Sequence, residues 1–212
     1  MIAFSTLRPF GSHPEYDRNQ LTAWQSWQNA FSLIVYLNDP QPEVSNHKTL
    51  FIPSEPFPRI YQIAERMAYQ GEMCCLLNAD IVISPRWKKV EATLNQKRAL
   101  AAVSNRWEFD PARGLEPAAV VDCGIDFFCA TKEIWSIAAN MADERLRLGV
   151  GWFDTWLMGC FSSFAMRGLW DITPCRCIYH PKHDGRKYGP GFNHLDIPMV
   201  GSAAMPNAKL MI

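Results

Sequence analysis

The chain has 212 residues, 48% of them apolar and 20% charged, which is the composition of an ordinary globular protein with enough apolar side chains for one generous domain. Lys+Arg and Asp+Glu both number 21, so a general electrostatic attraction to nucleic acid or anionic membrane is excluded, though a local basic patch is not. No apolar run is long enough to cross a bilayer, and the start, Met1 to Thr6, lacks the basic region and long apolar stretch of a signal peptide. A cytoplasmic protein is expected.

In chain order, Ile2–Thr6 reads as a first strand. A helix is predicted over Arg18–Ala30, where Leu21, Trp24, Trp27 and Gln28 recur at helical spacing. Phe31–Leu37 is a continuous apolar run that stops at Asn38-Asp39-Pro40, the pattern of a buried strand. A short strand, Thr49–Pro53, precedes a helix that starts near Pro58, carries Ile60, Ile63, Ala64 and Met67 on one face, and ends before Gly71. Glu72–Leu77 is the next buried strand, closed by Asn78-Ala79-Asp80. Ser84-Pro85 is predicted to open another helix, with Ser84 as its cap.

Leu100–Ser104 and Val120–Cys129 follow as strands, the second interrupted at Gly124. Helices near Lys132–Met141 and Gly151–Met166 and a last strand around Arg176–Tyr179 complete the pattern. Alternating strands and helices predict an α/β fold: one domain over residues 1–184, with a mainly parallel, twisted, Rossmann-like sheet flanked by helices. The segment 185–212, rich in Gly, Pro and Asn, reads as a tail or loop lying on or near the site.

The seven cysteines include an apolar pair, Cys74-Cys75, and suit reduced, buried thiols. Cys175-Arg176-Cys177 is too closely spaced for the usual zinc ligand pairs.

Ligands of open parallel sheets bind beyond the carboxyl ends of the strands. Polar residues recur at those ends: Thr6 and Arg8, Asn38 and Asp39, Asn78 and Asp80, and Asp126 in the broken strand. Asp80 follows a strongly apolar strand, so its carboxylate could hold Mg²⁺ or Mn²⁺ against a diphosphate, or merely cap a turn. His180 and His183, in Tyr179-His180-Pro181-Lys182-His183-Asp184-Gly185, are candidate metal ligands or members of a polar loop.

Asp154 stands between aromatics near a helix start. Facing the crevice it could accept a proton from a hydroxyl; facing water it would complement the helix dipole. Trp152 and Trp156 could stack on a sugar or base, or belong to the core. A P-loop, a dinucleotide fingerprint and a serine between glycines are all missing, which disfavours P-loop NTPases, Rossmann dehydrogenases and α/β-hydrolases.

The order of these features resembles the GT-A class of glycosyltransferases, family 2-like, from about Met1 to His183. Leu76-Leu77-Asn78-Ala79-Asp80-Ile81 looks like the class's DXD-type motif, with Asn78 in place of the first acid. Asp122-Cys123-Gly124-Ile125-Asp126-Phe127-Phe128 is similar to the segment lining the acceptor side, and Trp152 to Leu157 to the helix bearing the base of inverting members. A histidine after the last strand completes the metal site in the class, and His183 or His180 would match.

The resemblance implies a glycosyltransferase acting on a nucleotide-diphosphate sugar with a divalent metal. Thr6, Arg8, Asp39, Asn78 and Asp80 would bind the donor, Asp80 and His183 or His180 the metal, and Asp126, Trp152 and Trp156 the substrates. Asp154 would be the base. The acceptor stays open among glycan, small molecule and modified nucleic acid. One alternative is a non-catalytic nucleotide-sugar-binding module. Another is a transferase whose acceptor is a modified nucleobase in DNA, which would require Arg106, Arg113, Arg145, Arg147 and Arg167 to gather near the crevice.

Overall fold

Strands that read as unbroken apolar runs should be covered on both faces. In the computed structural model, which describes residues 1–116, 118–149, 153–165, 168–182 and 209–210, they are. The elements are β1 (Ile2–Ser5), α1 (Pro14–Ala30), β2 (Leu33–Tyr36), β3 (Thr49–Phe51), α2 (Ile60–Tyr69), β4 (Cys74–Leu77), β5 (Val82–Ile83) and α3 (Trp87–Gln96). Then follow β6 (Ala101–Phe109), β7 (Ala119–Ala130), α4 (Lys132–Met141), α5 (Phe153–Phe164), β8 (Leu169–Asp171), β9 (Ile178–Pro181) and β10 (Lys209–Leu210).

These strands form one sheet in the order β10-β8-β6-β7-β4-β1-β2-β3, with β9 lying beside the second half of β6 and pairing with β5. β1 pairs in parallel with β2 and β4, and β6 with β8 and β9. β7 runs antiparallel to both β4 and β6.

The period-two alternation of strand side chains divides the core in two. Ile2, Phe4, Val35, Cys74 and Leu76 pack toward α2, α4 and α5, with Trp135, Trp156 and Phe161. Ala3, Ile34, Tyr36, Cys75 and Leu77 pack toward α1 and α3, with Trp27 and Trp87. Each fully buried large aliphatic or aromatic side chain contributes about 1.5–3 kcal/mol, so the two layers hold the sheet from both sides. The described cysteine side chains are free thiols, and burial raises the Cys74 and Cys160 pKa values to about 12. Among the described residues no helix is long and apolar enough to cross a membrane.

Several predicted boundaries move, for identifiable reasons. α1 begins at Pro14, with proline in its first turn, and its fully buried face is Asn19, Gln20, Ala23 and Trp27, leaving Leu21 and Trp24 at the margin of the core. α2 begins at Ile60, just past Pro58, and Gly71 ends it with φ +74. Ser84 does not cap α3 with its side chain: its carbonyl accepts the Trp87 N–H, while its hydroxyl donates to the Arg176 carbonyl. β7 continues through Gly124. The predicted interruption is realised as a slip in register, from Asn105↔Ile125 to Trp107↔Val120.

Candidate active site at the carboxyl rim of the sheet

β1, β2 and β4 end at one rim, where their following loops are tied together. Ser5 donates its hydroxyl to the Leu77 carbonyl at 2.7 Å, joining β1 to β4. The Leu7 N–H donates to Asn38 Oδ1 at 2.5 Å, and Asn38 Nδ2 returns a bond to the Leu7 carbonyl at 3.1 Å. This reciprocal pair satisfies backbone groups that would otherwise be stranded at the sheet end. Thr6 is half-buried beside it. Arg8 is exposed, its guanidinium 4.3 Å from the centre of the Tyr16 ring, and Asp39 is exposed after β2.

The antiparallel pairing Leu77↔Phe127 carries Asp126 to this same rim. There Asn78 donates to Asp126 Oδ1 at 2.7 Å, and Arg106 to Asp126 Oδ2 at 2.7 Å. Arg106 also bonds Glu108. Glu108 is the register partner of His180, so the two side chains are neighbours on one face of β6 and β9. His180 Nε2 in turn stands 3.3 Å from Asp80. The opposite face of the same strands is apolar, built from Phe109, Tyr179 and Val82. His180 was expected in a loop; it lies within β9 and is 7% exposed.

The Asp80–His180 separation also fits two ligands of one divalent ion, since cis ligands at about 2.1 Å from a metal stand about 3 Å apart. Among the described residues no group of three or more His, Cys, Asp or Glu side chains could hold a metal. An ion here would therefore need water or substrate phosphate to complete its shell, as Mg²⁺ commonly does. His183 lies outside the described residues.

Asp154 is half-buried in the first turn of α5, where its Oδ1 accepts the Thr155 N–H at 2.8 Å. Burial raises its pKa, the Thr155 amide opposes that, and the nearby Asp126 charge raises it further. A carboxylate with weakened preference for the charged form is a better proton acceptor. Of the two places its spacing allowed, Trp156 takes the core, where it is 3% exposed. Trp152 lies outside the described residues.

On the α2 side of the rim, a cleft of about 580 Å³ opens among Leu37, Pro53, Glu55, Gln62, Ile63 and Arg66. None of the described predicted site residues lines it. The arginines required for a nucleobase acceptor do not gather freely: Arg106, Arg113, Arg145 and Arg147 each pair with a carboxylate, Asp126, Asp110, Asp143 and Glu55 respectively. Arg167 lies outside the described residues.

Sequence reasoning missed Glu108 and the pairing of Arg106 with Asp126. The signal was available, since Arg106-Trp107-Glu108-Phe109 alternates polar and apolar with period two and extends the strand past Ser104.

No protein-family model matches the chain, and no curated protein matches it in sequence. Solved structures do match. A protein from Desulfovibrio desulfuricans G20 described as a nucleotide-diphospho-sugar transferase aligns at a TM-score of 0.50 and 12% identity, over 81% of this chain and 79% of that one. A 4-diphosphocytidyl-2C-methyl-D-erythritol synthase from Anaerococcus prevotii DSM 20548 aligns at 0.47 and 12% identity, over 81% and 86%. A protein described as a glucose-1-phosphate thymidylyltransferase from Bacillus anthracis aligns at 0.39 and 11% identity, over 67% and 75%. The chain thus has a mixed α/β fold, with a mainly parallel sheet flanked by helices, similar to that of the first of these proteins.

Proposed function

We propose that the chain is a glycosyltransferase that moves a sugar from a nucleotide-diphosphate sugar to an acceptor hydroxyl with inversion. The carrying observation is the half-buried Asp154 carboxyl, its pKa raised by burial and by the nearby charge of Asp126. The fold it shares with a protein described as a nucleotide-diphospho-sugar transferase supports the donor class.

In this reading Asp154 takes the proton of the acceptor hydroxyl. The acceptor oxygen attacks the anomeric carbon, and the bond from that carbon to the diphosphate oxygen breaks with its electron pair. Asp80 and His180 would hold a Mn²⁺ or Mg²⁺ ion, which supplies charge neutralisation to the departing diphosphate. Asn78 and Arg106 orient Asp126, which faces the acceptor. The loops after β1 and β2, with Thr6, Arg8 and Asp39, receive the nucleoside.

Thermal stabilisation by a panel of nucleotide-diphosphate sugars, with and without Mn²⁺, tests the donor assignment. A ligand at one hundred times its Kd adds about 2.7 kcal/mol. One donor giving a metal-dependent shift is expected; no shift with any donor refutes the reading. The engagement of Asn78 with Asp126, where the resembled motif has an acid, favours a second reading as a non-catalytic nucleotide-sugar-binding module. Slow hydrolysis of the donor in the absence of acceptor separates the two, because a module without catalysis shows none.

A further inference from the structure

The basic residues of this electrically balanced chain are unevenly placed. Arg86, Lys88, Lys89, Lys97 and Arg98, on α3 and its two ends, are all exposed. Among the described residues none of the five joins an ion pair, which is also true of the scattered Arg8, Arg18, Lys48, Arg66, Lys132 and Lys182, but no other stretch of 13 residues carries five basic side chains. The lone acid between residues 85 and 100, Glu91, is half-buried and turned to the N-terminal ammonium at 3.3 Å.

Two local choices here oppose helix physics. The start of α3 carries Arg86, Lys88 and Lys89 and no acid, although the positive end of a helix dipole favours carboxylates. Arg98 adopts φ +50, a left-handed conformation that glycine adopts at lower cost. Choices that weaken a helix locally and share one sign of charge are expected where function selects for that charge.

We propose that the exposed face of α3 is a docking surface for the phosphate backbone of a nucleic acid. The two basic groups flank the helix about 15 Å apart, at about 1.5 Å per residue, and bracket several phosphates. Between them the exposed residues are Ala92, Asn95 and Gln96. The Asn95 and Gln96 amides donate to phosphate or sugar oxygens, as backbone-positioning contacts do. The face from Pro85 to Arg98 exposes no large apolar side chain. It therefore lacks the wedge that an interfacial helix drives into a bilayer and the aromatic anchors of a protein interface. The surface is independent of the proposed sugar transfer.

The test is fluorescence anisotropy of end-labelled duplex DNA, single-stranded DNA and RNA, titrated with the full chain across a range of salt concentrations. With duplex DNA, five phosphate contacts predict a log–log salt slope of about −4.5. Lys88→Gln combined with Lys89→Gln should flatten that slope by about 2 and weaken binding roughly fifty-fold near 0.1 M salt. An unchanged melting temperature would show that the fold is intact. Parallel titrations use polyglutamate-competed samples and phosphatidylserine vesicles. Absence of binding to all three nucleic acids at low salt overturns the proposal. So does binding that the double variant leaves unchanged, or equal attraction to phosphatidylserine vesicles.

Discussion

Arg106 and Asp126 meet at 2.7 Å, and the other oxygen of the same carboxylate takes the Asn78 amide at 2.7 Å. Two strands and a loop are joined through one acid: β6 through Arg106, β7 through Asp126, and the loop after β4 through Asn78. Arg106→Ala would leave both Asp126 and Glu108 short of a partner. With the Arg106 and Asp126 side chains 25% and 11% exposed, the cost should be about 1–3 kcal/mol. For a chain of this size that lowers Tm by several degrees, at about 2–4 °C per kcal/mol. Arg106→Lys should recover only part, lacking the fork that reaches both acids. A melting curve of Arg106→Ala matching the native one would show the junction to be energetically idle.

Asp154 predicts a pH signature in stability as well as in turnover. Its folded pKa is raised, so the folded state holds the proton more tightly than the unfolded chain. Stability therefore falls as pH rises from the ordinary carboxylate value through the raised one. Asp154→Asn removes this penalty, and its Tm relative to the native chain should grow as pH rises from the ordinary carboxylate range through the raised value. In the same variant transfer should be lost while donor binding is kept. A Tm difference independent of pH would contradict the buried-acid account.

Trp156 should behave as a core residue. Trp156→Ala is expected to cost about 3–5 kcal/mol, whereas Trp156→Phe, still folded, should bind donor with native affinity. Donor affinity lost in Trp156→Phe at unchanged Tm would return this residue to the substrate site.

Asp80→Ala and His180→Gln should each abolish the Mn²⁺-dependent part of donor stabilisation while leaving the metal-free Tm within a few degrees. The expected readout is a thermal shift that no longer differs with and without Mn²⁺. A metal-dependent shift retained in both variants would place the ion elsewhere.

Gly168 is a steric prediction. A Cβ built there would lie 2.6 Å from Leu100 Cγ and 2.9 Å from Leu100 Cβ, so Gly168→Ala should cost about 1–3 kcal/mol. Adding Leu100→Ala should relieve the strain only in part, because the Cβ contact remains. Thermal melts of the single and double variants measure the coupling, and additive costs would show that the backbone moves instead.

Much of the rim was legible because apolar runs end where polar residues begin. Leu77 to Asp80 and Leu37 to Asp39 mark the ends of β4 and β2 with no knowledge of pairing. The second half of β6 was missed despite the alternation at Arg106–Phe109, because Ser104-Asn105-Arg106 is a run of three polar residues that reads as a strand end, and the register slips there. The last strand was read as ending near Tyr179, one residue short of His180, yet it runs on to Pro181, and proline is tolerated at the last position of a strand. The short strands β5, β8 and β10 carry too few residues for periodicity to register, and depend on neighbours distant in sequence. The meeting of Asp80 with His180, and of Arg106 with Asp126, is a product of topology that spacing alone cannot reveal.

The reversed direction of β7 has a consequence for how this chain can vary. Asp126 reaches the rim only because Phe127 and Phe128 are seated in opposite core layers. An inserted or deleted residue just before Phe127 would either replace the acid at the rim or turn a phenylalanine out of its layer. The Asn78 and Arg106 bonds constrain which side chain stands at position 126, and the core layers constrain the length of chain beside it. New chemistry at this end of the sheet should therefore arise by exchange of side chains on a fixed backbone, with insertions confined to the loops after β1, β2 and β3.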